Sequence, residues 1–146
     1  MRNTFAILAA TMLLFMACSS EEKDIEKAAY GYLNATGNYR IDEAMPYASQ
    51  ETRERTLPFL KDKIIPMTDT NYIKANQPAK IVIDSVRVIC ADTAKVDYTK
   101  TTPIKILTGT IYMVLEDGKW GAYVPLNIPD GISVPLPIEN NANDAQ

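Results

Sequence analysis

The sequence predicts an α+β fold in which N-terminal helices pack on a curved, cone-like antiparallel sheet of about four strands. Three observations carry that prediction. Apolar residues recur at helical spacing through the first half of the chain, the period changes to alternation from Lys80 onward, and Asp117-Gly118 stands between two alternating runs. Helices followed by strands segregate onto one face of an antiparallel sheet instead of interleaving with a parallel one.

The first helix follows from Ile25, Ala28, Ala29, Tyr32 and Leu33, which share a face; Ser19 and Glu22 are spaced as a capping box before them, and Gly37 reads as the stop. A second short helix is expected from about Tyr39 to Ala48, with Asn38 as its cap and Ile41, Ala44, Met45 and Ala48 on one side. Pro46 leaves its end open. Ser49 can cap a third helix with the apolar stripe Leu57, Leu60, Ile64 and Ile65, which Pro58 should kink or divide and Pro66 should end. Residues 66–78 read as a loop whose turn formers are Asp69, Asn71, Asn76 and Pro78.

Strands are expected at about 80–90, 94–102, 107–116 and 119–125. With Asp117-Gly118 as a tight turn, Leu115 faces Trp120, Met113 faces Ala122 and Ile111 faces Val124 on one side, while Tyr112, Val114 and Tyr123 share the other and Glu116 meets Lys119. A three-residue turn at Ala91 to Thr93 would set Val88 against Val96, Val86 against Tyr98 and, on the outer face, Arg87 against Asp97. Ile81 and Ile83 are out of phase with Val86 and Val88, so a bulge is expected near Asp84-Ser85.

The amino terminus has its own anatomy: a basic start at Arg2, then an apolar run from Phe5 to Ala17 broken only by Thr11. The run is shorter than the roughly 20 residues that a membrane span requires, and Ser19-Ser20-Glu21-Glu22-Lys23-Asp24 follows at once. Leu14-Phe15-Met16-Ala17-Cys18 resembles a bacterial lipobox, with Phe15 where leucine is commoner. That resemblance implies a signal peptide over 1–17, acylation of Cys18, an anchor and short linker over 18–23, and a lipid bilayer as partner, hence a place in the bacterial cell envelope. Ser19 with Glu21-Glu22 resembles sorting tags for the outer membrane and for surface export.

Without residues 1–17 the chain loses only Arg2, leaving 14 basic against 18 acidic side chains and a net charge of −4, which argues against a nucleic-acid partner. A mature chain of this size supports one domain. Cys90 is the sole thiol once Cys18 is acylated, so no internal disulfide forms. The chain has no histidine, which removes the commonest general base and the commonest metal ligand; no metal site and no cofactor are expected.

Residues 24–125 resemble the nuclear transport factor 2-like superfamily, and among it the bacterial lipoprotein members whose domain has no assigned function. The opening amphipathic helix, Gly37-Asn38-Tyr39 followed by Ala44 and Tyr47, and the closing Leu115-Glu116-Asp117-Gly118-Lys119-Trp120 carry the resemblance; Pro46 and Pro58 depart from it. Beyond the domain, residues 126–146 hold Pro129, Pro135 and Pro137 and the run from Asn140 to Gln146, an extended or disordered tail.

The resemblance implies a pocket between sheet and helices that some members use for catalysis and others only for binding. Its candidate lining here is Tyr47, Phe59, Tyr98, Met113 and Trp120, the alternative being that these side chains are core. Asp84 is the candidate acid/base because a bulge could re-aim it, whereas Asp97 points outward. Tyr30, Tyr39, Tyr112 and Tyr123 are candidates for a partner surface. Two classes of function therefore stand: a non-enzymatic envelope lipoprotein that binds a small apolar ligand or a protein partner through the cone or its mouth, or a small hydrolase or isomerase using a pocket carboxylate. An inward carboxylate beside Tyr98 would favour the enzyme; an inner face filled by Trp120 and Met113 would favour interaction.

Overall fold

A computed structural model describes the backbone of residues 4–126 and the side chains of residues 20–126. The side chains of the expected signal segment, the acylation of Cys18 and the expected tail beyond Leu126 lie outside the described residues.

Helix α1 spans Thr4–Gly37 without interruption. It does not begin at a Ser19 cap, and residues 18–23 are helix instead of linker. The chain has no proline before Pro46 and no glycine before Gly31, so nothing divides the apolar run from the amphipathic one. The second part of α1 buries Ile25, Ala29, Tyr32 and Leu33, the face read from their spacing. Gly37 is the last helical residue, but the left-handed residue that closes the helix is Tyr39, at φ 58°. Arg40 N–H donates to Ala35 O at 2.9 Å and Tyr39 N–H donates to Thr36 O at 3.0 Å, the two crossed bonds of a Schellman end.

Asn38 does not cap the next helix. Its Nδ2 donates to Asn34 O at 2.9 Å and to Ala79 O at 3.1 Å, and its Oδ1 accepts from Ala79 N–H at 2.8 Å, so it ties the end of α1 to the start of the sheet. Helix α2, Ile41–Ala44, is a single turn that tightens into a 3₁₀ turn at Met45–Tyr47. The third helix is capped as expected, Ser49 Oγ accepting from Thr52 N–H at 3.3 Å.

That helix continues over residues 50–67, through Pro58 and past Pro66. Two π turns, Thr52–Thr56 and Leu60–Ile64, explain how. Leu57 N–H bonds five residues back to Thr52 O, and Ile65 N–H to Leu60 O, each immediately before a proline. A turn widened this way spares the proline ring its clash with the preceding carbonyls. The expected loop over 66–78 also contains a helix, Thr70–Ala75, because Asp69 acts as its cap and not as a turn former: its Oδ1 accepts from Asn71 N–H at 2.7 Å and Tyr72 N–H at 3.2 Å.

The strands are β1 Lys80–Cys90, β2 Thr93–Thr101, β3 Ile106–Glu116 and β4 Lys119–Tyr123, antiparallel in the order β1-β2-β3-β4. The β3–β4 register is the expected one: Leu115 opposite Trp120, Met113 opposite Ala122, Glu116 opposite Lys119. The β1–β2 register is two residues from the expected one, with Val86 opposite Val96, Val88 opposite Ala94, and Arg87 opposite Lys95 in place of Asp97. A slip of two keeps every side chain on its face, so alternation alone cannot detect it. The expected bulge is present between Ile83 and Ser85, and a second one lies between Val88 and Cys90.

The result is an α+β arrangement in which helices cover the inner face of a four-stranded sheet. Ile25, Tyr32, Leu57, Val96 and Met113 are at its centre, fully or almost fully removed from water. Along the β4 edge, Ala48 bridges Ala122 in parallel and Ser49 N–H donates to Ala122 O at 2.9 Å. A side chain on Gly121 would come within 2.7–2.9 Å of that passing backbone, which is why a glycine stands there.

Candidate functional site

Of the five residues read as a pocket lining, the fold brings four together. Tyr98 from β2, Met113 from β3 and Trp120 from β4 are buried in one cluster with Tyr32 and Val96, and Tyr47 packs against it half-buried. Phe59 is half-buried on the third helix and stands outside that cluster. The helix winds differently through its π turns than an unbroken α-helix, and that shifts which residues face inward.

The rings are seated on glycines. A Cβ on Gly31, within α1, would lie 2.6–2.7 Å from three atoms of the Tyr47 ring. A Cβ on Gly109, the cross-strand neighbour of Tyr98, would lie 2.7 Å from Tyr98 Cζ and Oη. Both aromatic rings therefore lie against backbone, filling space that a side chain would take. The signal was in the sequence: glycine inside a helix or strand marks a close approach. Burial, and next to it the neighbouring Tyr98, pushes the Tyr32 phenol well above its ordinary range, so it stays protonated.

The carboxylates lie elsewhere. Asp84 sits at the first bulge but is exposed, accepting from Thr99 Oγ1 at 2.7 Å. Asp97 is on the outer face, opposite Ser85; Thr110 Oγ1 donates to it at 2.6 Å, Ser85 Oγ at 3.1 Å, and Lys95 Nζ stands 3.4 Å away. These contacts, that of Thr110 foremost, hold its carboxyl below the usual range. Among the described residues the buried polar side chains are Ser49, Thr52, Thr56, Asn76 and Thr102, none of them ionisable in the ordinary range. Among the described residues no group of three or more acidic or cysteine side chains is gathered to hold a metal ion, and no helix is long and apolar enough to cross a membrane.

Among the described residues, one surface depression lies at each end of the sheet. An open one of about 680 Å³ lies where α1 ends, edged by Asn34, Asn38, Arg40, Lys74 and Gln77. A smaller one of about 190 Å³ lies by the β3–β4 turn, between Arg53, Glu116, Lys119 and the edge of Trp120. Tyr98 and Met113 line neither. Of the candidate partner residues, Tyr112 and Tyr123 are cross-strand neighbours on the outer face and exposed, as is Tyr30, while Tyr39 is half-buried.

No family model matches and no curated protein matches. Among solved structures, the chain is similar to an NTF-2-like protein of unknown function from Shewanella oneidensis MR-1, at 18% identity over 68% of this chain and 92% of that one, with a TM-score of 0.46. The α+β architecture described above stands on its own register and packing.

Proposed function

We propose that the chain is a lipid-anchored protein of the bacterial envelope whose domain acts by surface interaction with a protein partner, without catalysis. The anchor is supported by the sequence of the first 24 residues, from Arg2 through the apolar run to Cys18 and the acidic segment after it. The observation that carries the mode of action is the filled inner face. Where a ligand cone would be hollow, Tyr98, Met113 and Trp120 pack with Tyr32 and Val96, and among the described residues the buried polar side chains include no carboxylate. An acid–base enzyme of this architecture would need such a group turned inward with its pKa raised by burial. Asp84 instead meets Thr99 at the surface.

The domain therefore offers its exterior: the polar depression beside Arg40 and Lys74, and the exposed Tyr112 and Tyr123 on the outer face. Several acyl chains hold a protein on a bilayer far more firmly than one. Detergent partitioning with mass analysis of the mature amino terminus tests the anchor: the expected product begins at acylated Cys18, and Cys18→Ser releases it. A mature chain beginning elsewhere without lipid contradicts it. Thermal-shift screening with envelope lipids, sterol-like compounds and small acids tests the mode of action. No saturable shift is expected, and a compound consumed with time overturns the non-enzymatic reading.

A further inference from the structure

Helix α1 runs through residue 18 to the first core residue, Ile25, with no break. At 1.5 Å per residue, an anchor at Cys18 stands only about 10 Å from the body of the domain. The helix also fixes which end faces the bilayer. Its carboxyl end is tied to the start of β1 by the Asn38–Ala79 bonds of 2.8 and 3.1 Å, and it packs along β1 more than along any other strand. Further back along α1, Gly31 lies against Tyr47, next to the Ala48–Ala122 bridge on β4, so the amino end points to the end of the sheet that carries the β3–β4 and β1–β2 turns.

At that turn stand four consecutive exposed residues without charge: Val88, Ile89, Cys90 and Ala91. The second bulge lies here, leaving Ile89 without a cross-strand partner and 54% exposed. A bulge that turns an isoleucine into water at the tip of a hairpin is a feature to be explained, since runs of exposed apolar residues are avoided unless something covers them. The flanking charges bound the depth. Cys90 Sγ donates to Asp92 Oδ1 at 3.2 Å, so a carboxylate sits at the edge of the tip, and Glu21, Glu22 and Asp24 stand in the same end of α1. Arg87, Lys95, Lys119 and Lys23 stand at the same end, so the rim of the tip carries both signs of charge around an uncharged centre, as suits the interfacial layer of a bilayer.

We infer that the β1–β2 tip, Val88 to Ala91, rests in the interfacial zone of the bilayer that carries acylated Cys18, so that the domain has a fixed orientation. The inference rests on the lipid anchor proposed above. It places the depression beside Arg40 and Lys74 at the end facing away from the membrane, where a soluble partner can reach it.

The test uses the full-length acylated protein in phosphatidylcholine vesicles. Cys90, the sole thiol of the acylated chain, is labelled with an environment-sensitive fluorophore, and nitroxide lipid is the quencher. A second form, Cys90→Ser with Ile104→Cys, carries the same label at the opposite end of the sheet, where Ile104 is 58% exposed. The expected result is a blue-shifted signal at position 90, quenched at least threefold more than at 104. Ile89→Asp should remove that difference while the protein still floats with the vesicles. Equal quenching in acylated, floating protein overturns the tip contact alone. A blue shift that disappears when the protein is diluted among excess vesicles assigns the tip to a second copy and likewise overturns it. Protein that carries no acyl mass and fails to float overturns the anchor and the tip contact together.

Discussion

The β3–β4 hairpin turns through Asp117 and Gly118, both in the left-handed region at φ 50° and 73°, and keeps an unbroken register, whereas the β1–β2 hairpin turns through Ala91 and Asp92 and breaks register twice. Positive φ at both central residues belongs to the tight turn whose twist matches that of the strands, so an Asp-Gly pair dictates which residues face each other. Ala91-Asp92 dictates much less. There the register is set by bulges and by the packing of Ile81, Val86 and Val96 on the helices. Turn chemistry specifies a hairpin locally; without it the specification is spread over the core.

The comparison can be broken most strongly at Trp120, the buried anchor of the well-specified hairpin. Trp120→Ala should cost about 3–5 kcal/mol in denaturant unfolding, as expected for a large core side chain. Gly121→Ala comes next, because the new Cβ meets backbone at Ala48 and Ser49 and cannot be relieved by a side-chain rotation. A loss of about 1–3 kcal/mol is expected, with weakened protection of the Ser49 amide in hydrogen exchange. Gly118→Ala isolates the turn itself: nothing lies within 4 Å of the added Cβ, so the loss of about 1 kcal/mol is conformational. A larger loss would mean that the turn does more than set φ.

Asp97 sharpens the comparison on the outer face. Its folded pKa is depressed, so its contribution is present above the unfolded value of about 3.9 and is lost as pH falls through the folded one. With 41% of the side chain exposed, that contribution should stay below about 1 kcal/mol. Asp97→Asn should flatten this part of the stability loss in acid, below about pH 4. The smallest effect discriminates the two registers of β1–β2. Arg87 faces Lys95, so Arg87→Glu should raise stability by about 0.2–1 kcal/mol. Were Asp97 its neighbour, the same change would lower it.

Much of the fold was legible in the residues. Every strand begins and ends within two residues of its expected bounds, and the bulge at Asp84 followed from the phase change between Ile83 and Val86. What failed was local chemistry with two outcomes. Asp69 can start a turn or cap a helix, and it caps one. Pro58 can break a helix or ride behind a π turn, and it does the second. Asn38 can cap a helix or bridge to Ala79, 41 residues away and just before β1, and only the tertiary structure chooses. At the site, the burial of Tyr98, Met113 and Trp120 followed from alternation, but the seating of the Tyr98 and Tyr47 rings depends on Gly109 and Gly31, whose importance lies in what they lack.

Trp120 is the chain's one tryptophan and belongs to the inner face, so its fluorescence reports directly on whether the cone is closed. The purified protein should show blue-shifted emission, weak quenching by acrylamide, and no saturable change when envelope lipids or sterol-like compounds are titrated in. Emission typical of water contact, or a saturable response to an apolar ligand, would contradict the filled inner face and return the domain to the ligand-binding class.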